Sequence, residues 1–157
     1  MLISLSILEY ESELSKRIDA LSESSAFLRI LELIRTKGIY CIHIDVMRPP
    51  LIPDRTAFSI ELIKKLCYAL RGRISLAIHL MVPDPILIID DIDKFTSREE
   101  RAEICVIIQR ESFDSESETL KAIDLIRKKG YGKVGICLDL PTPCEALSKK
   151  IIEAVDM

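Results

Sequence analysis

The two histidines of this 157-residue chain, His43 and His79, both stand near the ends of apolar, β-branched runs, and a carboxylate, Asp45, lies two residues beyond the first. Imidazole nitrogen and carboxylate oxygen together suit a divalent transition-metal cation, with zinc, iron, manganese and cobalt all chemically reasonable. In Ile42-His43-Ile44-Asp45-Val46-Met47, the period-two alternation of a strand turns His43, Asp45 and Met47 to one face and Ile44 and Val46 to the other. In Ile78-His79-Leu80-Met81-Val82 the same rule places His79 and Met81 together. Residue types alone leave two readings open. One is a metal site on His43, Asp45 and His79; the other is a pair of core histidines hydrogen-bonded to backbone or to Asp45.

Either reading needs neighbouring strands, and the rest of the chain supplies them. Short, nearly continuous apolar runs recur at Leu2–Leu8, Ile39–Met47, Ile74–Val82, Ile104–Gln109 and Lys133–Leu140. Continuous rather than alternating runs belong to strands covered on both faces. Segments with helical spacing lie between and after them, at Glu11–Lys37 (with a break near Ser22–Ser25), Ala57–Arg71, Pro85–Asp93, Glu116–Lys129 and Pro143–Val155. This order predicts an α/β fold of five to six parallel βα repeats in a single domain over residues 1–157. Reactive groups in such folds gather where strands end and loops begin, which is where both histidines lie.

Punctuation supports these boundaries. Gly38, Gly72 and Gly130 follow helical segments that end in basic residues and read as left-handed caps. Asp84-Pro85 reads as an N-cap and first helical residue, and Ser115 with Glu118 has capping-box spacing. Thr142-Pro143-Cys144-Glu145 combines the box with proline at the first helical position. The acidic cluster Asp90, Asp91 and Asp93 reads as a solvated helix end. Of the five cysteines, Cys41, Cys105 and Cys137 fall inside apolar runs, where a thiol packs as a small hydrophobe; no CxxC spacing or disulfide framework is apparent.

A formal net charge of -3 gives no electrostatic attraction to nucleic acid or an anionic membrane. No apolar run approaches the roughly 18 residues of a membrane span, and no basic segment precedes the first apolar stretch, so a cytoplasmic location is expected.

The two histidine-bearing runs resemble the "HxDVM" and "HLMV" motifs of the ribulose-phosphate 3-epimerase family. Ser6-Ile7-Leu8 resembles that family's "PSIL" segment, with Leu5 in place of proline, and Gly135–Pro143 resembles its fifth strand and "NPxTP" loop, with Asp139 and Leu140 substituted. The resemblance implies a TIM-barrel-type fold and interconversion of ribulose 5-phosphate and xylulose 5-phosphate, by metal-assisted proton transfer at the third carbon. It implies Asp45 as metal ligand and acid/base group, His43 and His79 as further ligands, Ser6 as a substrate contact, and Met47 and Met81 as an apolar wall at the reacting centre. The partner implied is a phosphorylated ketopentose.

Departures from the pattern set further expectations. A closed eight-stranded barrel of this type takes roughly 250 residues, so an incomplete barrel is expected, without the second catalytic aspartate and the phosphate loops. Arg48-Pro49-Pro50 replaces an Asp-Gly pair after Met47, and the fourth strand ends Gln109-Arg110-Glu111 without the family's histidine. An open sheet with an unpaired edge invites self-association into a homo-oligomer. A second reading follows from the same departures: a non-catalytic relic of the fold that serves as a binding or regulatory subunit, or a truncated gene product.

Overall fold

A computed structural model describes residues 3–157. Five strands, β1 (Ile3–Ser6), β2 (Ile39–Met47), β3 (Ser75–Met81), β4 (Ile104–Gln109) and β5 (Lys133–Cys137), form one sheet in the order β1-β2-β3-β4-β5, every neighbouring pair parallel. Parallel neighbours in sequence order require crossover connections, and helices supply them: α1 (Glu11–Lys16) and α2 (Ser25–Leu33), α3 (Ile60–Leu70), α4 (Pro85–Asp93) with α5 (Arg98–Arg101), and α6 (Glu116–Lys128). A last helix, α7 (Lys149–Ala154), follows β5. This is the open, five-stranded form of the TIM-barrel pattern that the spacing of apolar runs predicts.

The two faces of the sheet differ in kind. Ile42, Ile44 and Val46 of β2, Ile78 and Leu80 of β3, Val106 and Ile108 of β4 and Val134 of β5 are fully buried. They meet helix residues of the same kind, including Ile30, Leu62, Leu66, Ile89, Ile123 and Ile126. Each buried aliphatic side chain contributes roughly 1.5–3 kcal/mol, so this helix-covered face carries the stability. The opposite face holds mostly small or polar side chains, among them Ser4, Cys41, His43, Ser75, Ala77 and Cys105, around a hollow of about 490 Å³.

Helix starts follow the expected chemistry. Ser24, Ser59 and Ser115 each accept a hydrogen bond from the backbone N–H three residues on, and Asp84 accepts from Ile86 N and Leu87 N with Pro85 in the first turn. Gly38, Gly72 and Gly130 take φ of +101°, +67° and +93°, a conformation that costs glycine least. At Ser115 only half of the box forms, because the Glu118 carboxylate turns to Asp114 N instead.

Several boundaries depart from expectation. The first strand is confined to Ile3–Ser6 among the described residues, and Leu2 lies outside them. The fifth stops at Cys137, three residues before the apolar run ends. Pro143 does not begin a long helix. Residues Cys144–Ala146 make a single 3-10 turn, and α7 starts only at Lys149, capped by Ser148 through Ile151 N. The acidic cluster is not simply solvated: Asp93 is mostly buried and accepts from Lys129, Arg101 and Tyr131. Cys105 and Cys137 are half-buried rather than buried, since both lie on the hollow face. Helix α5, formed by a Ser97–Glu100 capping box, carries no apolar stripe and so gave no periodic signal.

The outer edge of β5 is not bare. Asp156 N donates to Val134 O at 2.8 Å and Ile136 N to Met157 O at 3.0 Å, so the last residues run beside β5.

Candidate metal centre

Parallel pairing sets the register of the site. Asp45 of β2 lies directly beside His79 of β3, and Ser6 of β1 beside His43. Since side chains alternate across a strand, Ser6, His43, Asp45, His79 and, at the end of β4, Gln109 share the hollow face.

The Asp45 carboxylate is the hub. Its Oδ1 lies 3.1 Å from His43 Nε2 and 3.5 Å from His79 Nδ1, and its Oδ2 accepts from Ser6 Oγ at 2.7 Å. The imidazole rings stand nearly perpendicular, 81° apart, with centroids 5.6 Å from each other. One ligand atom from each of His43, Asp45 and His79 falls within 4.8 Å of the other two, the single such group of three among the described residues. Burial pushes the Asp45 pKa up, but hydrogen bonds from His43, His79 and Ser6 outweigh it and hold the carboxyl well below its usual range. It is therefore ionised at neutral pH.

The donor set fits a divalent cation on chemical grounds. Two imidazole nitrogens and an ionised oxygen point inward, and the outward nitrogen of each ring has its own partner: Ser4 Oγ lies 3.4 Å from His43 Nδ1, and Gln109 Oε1 lies 3.0 Å from His79 Nε2. Outer partners of this kind orient ligating histidines in metal sites generally.

All the predicted site residues lie on this face. Met47 and Met81 pair in register one step beyond Asp45 and His79 and are nearly buried. The structure adds Ser4 and Gln109, which motif reading did not assign. Gln109 had a detectable signal, since it is the polar terminus of an otherwise apolar run in phase with the site. Ser4 had none beyond its place two residues before Ser6.

Loop residues close the rim. Arg48, where the resembling motif has an acidic residue, donates to the carbonyls of Met47, Ala57 and Phe58 and thus fastens the loop after β2. Glu111 accepts from Asp139 N and links the loops after β4 and β5.

With this geometry in place, the fold is an α/β protein of the TIM-barrel type carrying a His-Asp-His cluster that could hold a metal ion. The family model described as the ribulose-phosphate 3 epimerase family matches residues 20–157, and the chain belongs to that family. Ser6 and Ser4 fall before the matched stretch, so their place at the site rests on the strand pairing of β1. A search of curated proteins returned no match. No described helix is long and apolar enough to cross a membrane.

Proposed function

We propose that the protein is an isomerase that moves a proton at the third carbon of a phosphorylated ketopentose, interconverting ribulose 5-phosphate and xylulose 5-phosphate. The observation that carries this reading is the convergence of His43, Asp45 and His79 within 4.8 Å of one another in a chain of the epimerase family. These three side chains would hold a divalent cation: zinc, iron, manganese or cobalt. When bound, the cation would supply a Lewis acid that stabilises the negative charge developing on the substrate oxygens.

Epimerisation removes the proton on one face of that carbon and returns one on the other, and the residues of this chain supply the first of those two groups. Asp45 is the acid/base group, and its ionised state is the form a proton acceptor requires. A carboxylate held this low is a weak base, so the reaction depends on the substrate carbon becoming more acidic beside its polarised carbonyl. Ser6 fixes Oδ2 of Asp45 and offers its hydroxyl to the substrate. Met47 and Met81 form the apolar, polarizable wall that excludes water from the reacting carbon. We further propose a single domain that acts in the cytoplasm as a homo-oligomer, in which a second copy covers the hollow face; sedimentation showing monomer alone at micromolar concentration would remove that part.

The test is isotope exchange. With divalent metal and ribulose 5-phosphate in heavy water, the wild-type protein should place deuterium at the third carbon, and Asp45→Asn should not. Background-level label with the wild type would defeat the catalytic reading.

A further inference from the structure

His79 can face a cation through Nδ1 only if its other nitrogen carries the hydrogen, and the residue that receives that hydrogen sits on β4. We propose that Gln109 selects the tautomer of His79: its carbonyl oxygen takes the Nε2 hydrogen, so that in the cation-loaded protein the Nδ1 lone pair is the one that faces the ion. The inference rests on the metal reading above and adds a positioning residue to it.

The geometry is a buried contact. Gln109 Oε1 lies 3.0 Å from His79 Nε2, with the two residues only 4% and 9% exposed. An amide can present either end, so its orientation has to be fixed from behind. Glu111 does this. Its Oε1 accepts from Asp139 N, while its Oε2 is buried without a hydrogen-bond partner among the described residues. Burial pushes the Glu111 carboxyl up, but the Thr142 side chain, the Asp139 and Glu111 backbone N–H groups and the Gln109 side chain together hold it below its usual range. An ionised carboxylate only accepts. The Gln109 amide meets the imidazole with its carbonyl end, and its NH2 end is the one that can serve the unpartnered Glu111 Oε2. A carbonyl oxygen also only accepts, so Nε2 of His79 bears a hydrogen; in the cation-loaded protein the Nδ1 lone pair is then free to face the ion, where without a cation Nδ1 contacts the Asp45 carboxylate.

The second histidine is held differently. His43 Nδ1 faces the Ser4 hydroxyl at 3.4 Å, and a hydroxyl both donates and accepts. Ser4 thus imposes no polarity, whereas the chain Glu111, Gln109, His79 runs in one sense. Gln109 is in this way the polar residue that fixes a ligand without itself reaching the cation.

Zinc affinity and imidazole spectroscopy test this without recourse to activity. Zinc titrated against a competing chelator should bind Gln109→Met, which lacks an acceptor, roughly 10–100-fold more weakly than the wild type. Gln109→Glu, which keeps an acceptor oxygen for Nε2, should bind close to wild type, and Ser4→Ala should change little. In zinc-loaded, 15N-labelled wild-type protein, long-range proton–nitrogen spectra should place the His79 hydrogen on Nε2. With two histidines in the chain, through-bond correlation of each imidazole to its own backbone suffices for assignment. Undiminished zinc binding by a folded Gln109→Met, or a His79 hydrogen on Nδ1, overturns the proposal. Should Gln109→Met not fold, the wild-type spectrum decides. Failure of the wild type to bind zinc at all would sink the metal reading first and this inference with it.

Discussion

Replacing Asp45 by asparagine removes one charge and almost no volume, and the structure sets the size of the response. The wild-type carboxylate takes part in three polar contacts, with Ser6 at 2.7 Å, His43 at 3.1 Å and His79 at 3.5 Å. Hydrogen bonds to charged groups contribute about 1.5–3 kcal/mol each, and neutral ones about half as much. Asparagine retains one acceptor oxygen and is spared the desolvation of a mostly buried charge, so the net loss at pH 7 should be about 2 kcal/mol. For a chain of this size that lowers Tm by roughly 4–8 °C. The pH dependence has a definite sign. Because the folded pKa lies below the unfolded value, the carboxylate's contribution is complete above about pH 4 and disappears as pH falls through the folded value. Thermal unfolding of both proteins with a chelator present, from pH 7 to pH 3, should show the gap closing toward acid. A second series with zinc at 100 times its Kd should raise wild-type stability by about 2.7 kcal/mol and the variant far less. Equal stability of the two proteins at pH 7 with chelator would show that the convergent contacts are not formed. An equal zinc shift would show that Asp45 is no ligand.

Other expectations concern the scaffold. Asp93→Ala strips the acceptor from Lys129, Arg101 and Tyr131 and should destabilise by about 3 kcal/mol in urea unfolding at pH 7. Burial raises the Asp93 pKa but its three donors outweigh that and lower it, so this difference too should shrink below about pH 4. Gly132→Ala would drive a methyl into the Ala102 carbonyl oxygen, which is backbone and cannot swing aside; the same turn holds Gly132 N against Arg101 O and Ile104 O. Overpacking and hydrogen-bond loss together should cost about 3 kcal/mol, and a Tm within 2 °C of wild type would contradict the packing. Burial pushes the Cys67 thiol up to about 12, so a thiol reagent at pH 8 should leave it unmodified in the native protein and label the exposed Cys144 first.

Much of the sheet was legible because strands covered on both faces write themselves as unbroken apolar runs. Ile39–Met47 and Ile104–Gln109 match the structure residue for residue. The shared face of His43 and Asp45 was legible for a related reason, since period-two alternation is rigid; that His79 stands beside Asp45 is set by the register of β2 on β3, which the structure supplies. Chain ends of elements were less so. Thr142 and Pro143 have good helix-start chemistry, yet the helix waits for Ser148, because the segment between is drawn across to β4 by the Arg110 bond to Ala146 O. Two of the partners of Asp93, Lys129 and Tyr131, lie 36 and 38 residues away along the chain, a separation at which sequence pattern is silent. Gln109 was visible as a polar strand end, but its contact with His79 joins residues 30 apart along the chain, which no local pattern reports.

The division of the sheet into a greasy side and a small-residue side has an implication for how such a protein can change. Neighbouring positions along β2 answer to different demands: Ile42, Ile44 and Val46 hold the helices, and His43 and Asp45 would hold the proposed ion. A saturation scan through this strand should therefore alternate like the teeth of a comb, with folding lost at one residue and ligand lost at the next. New chemistry can be written on the second set while the first keeps the molecule standing.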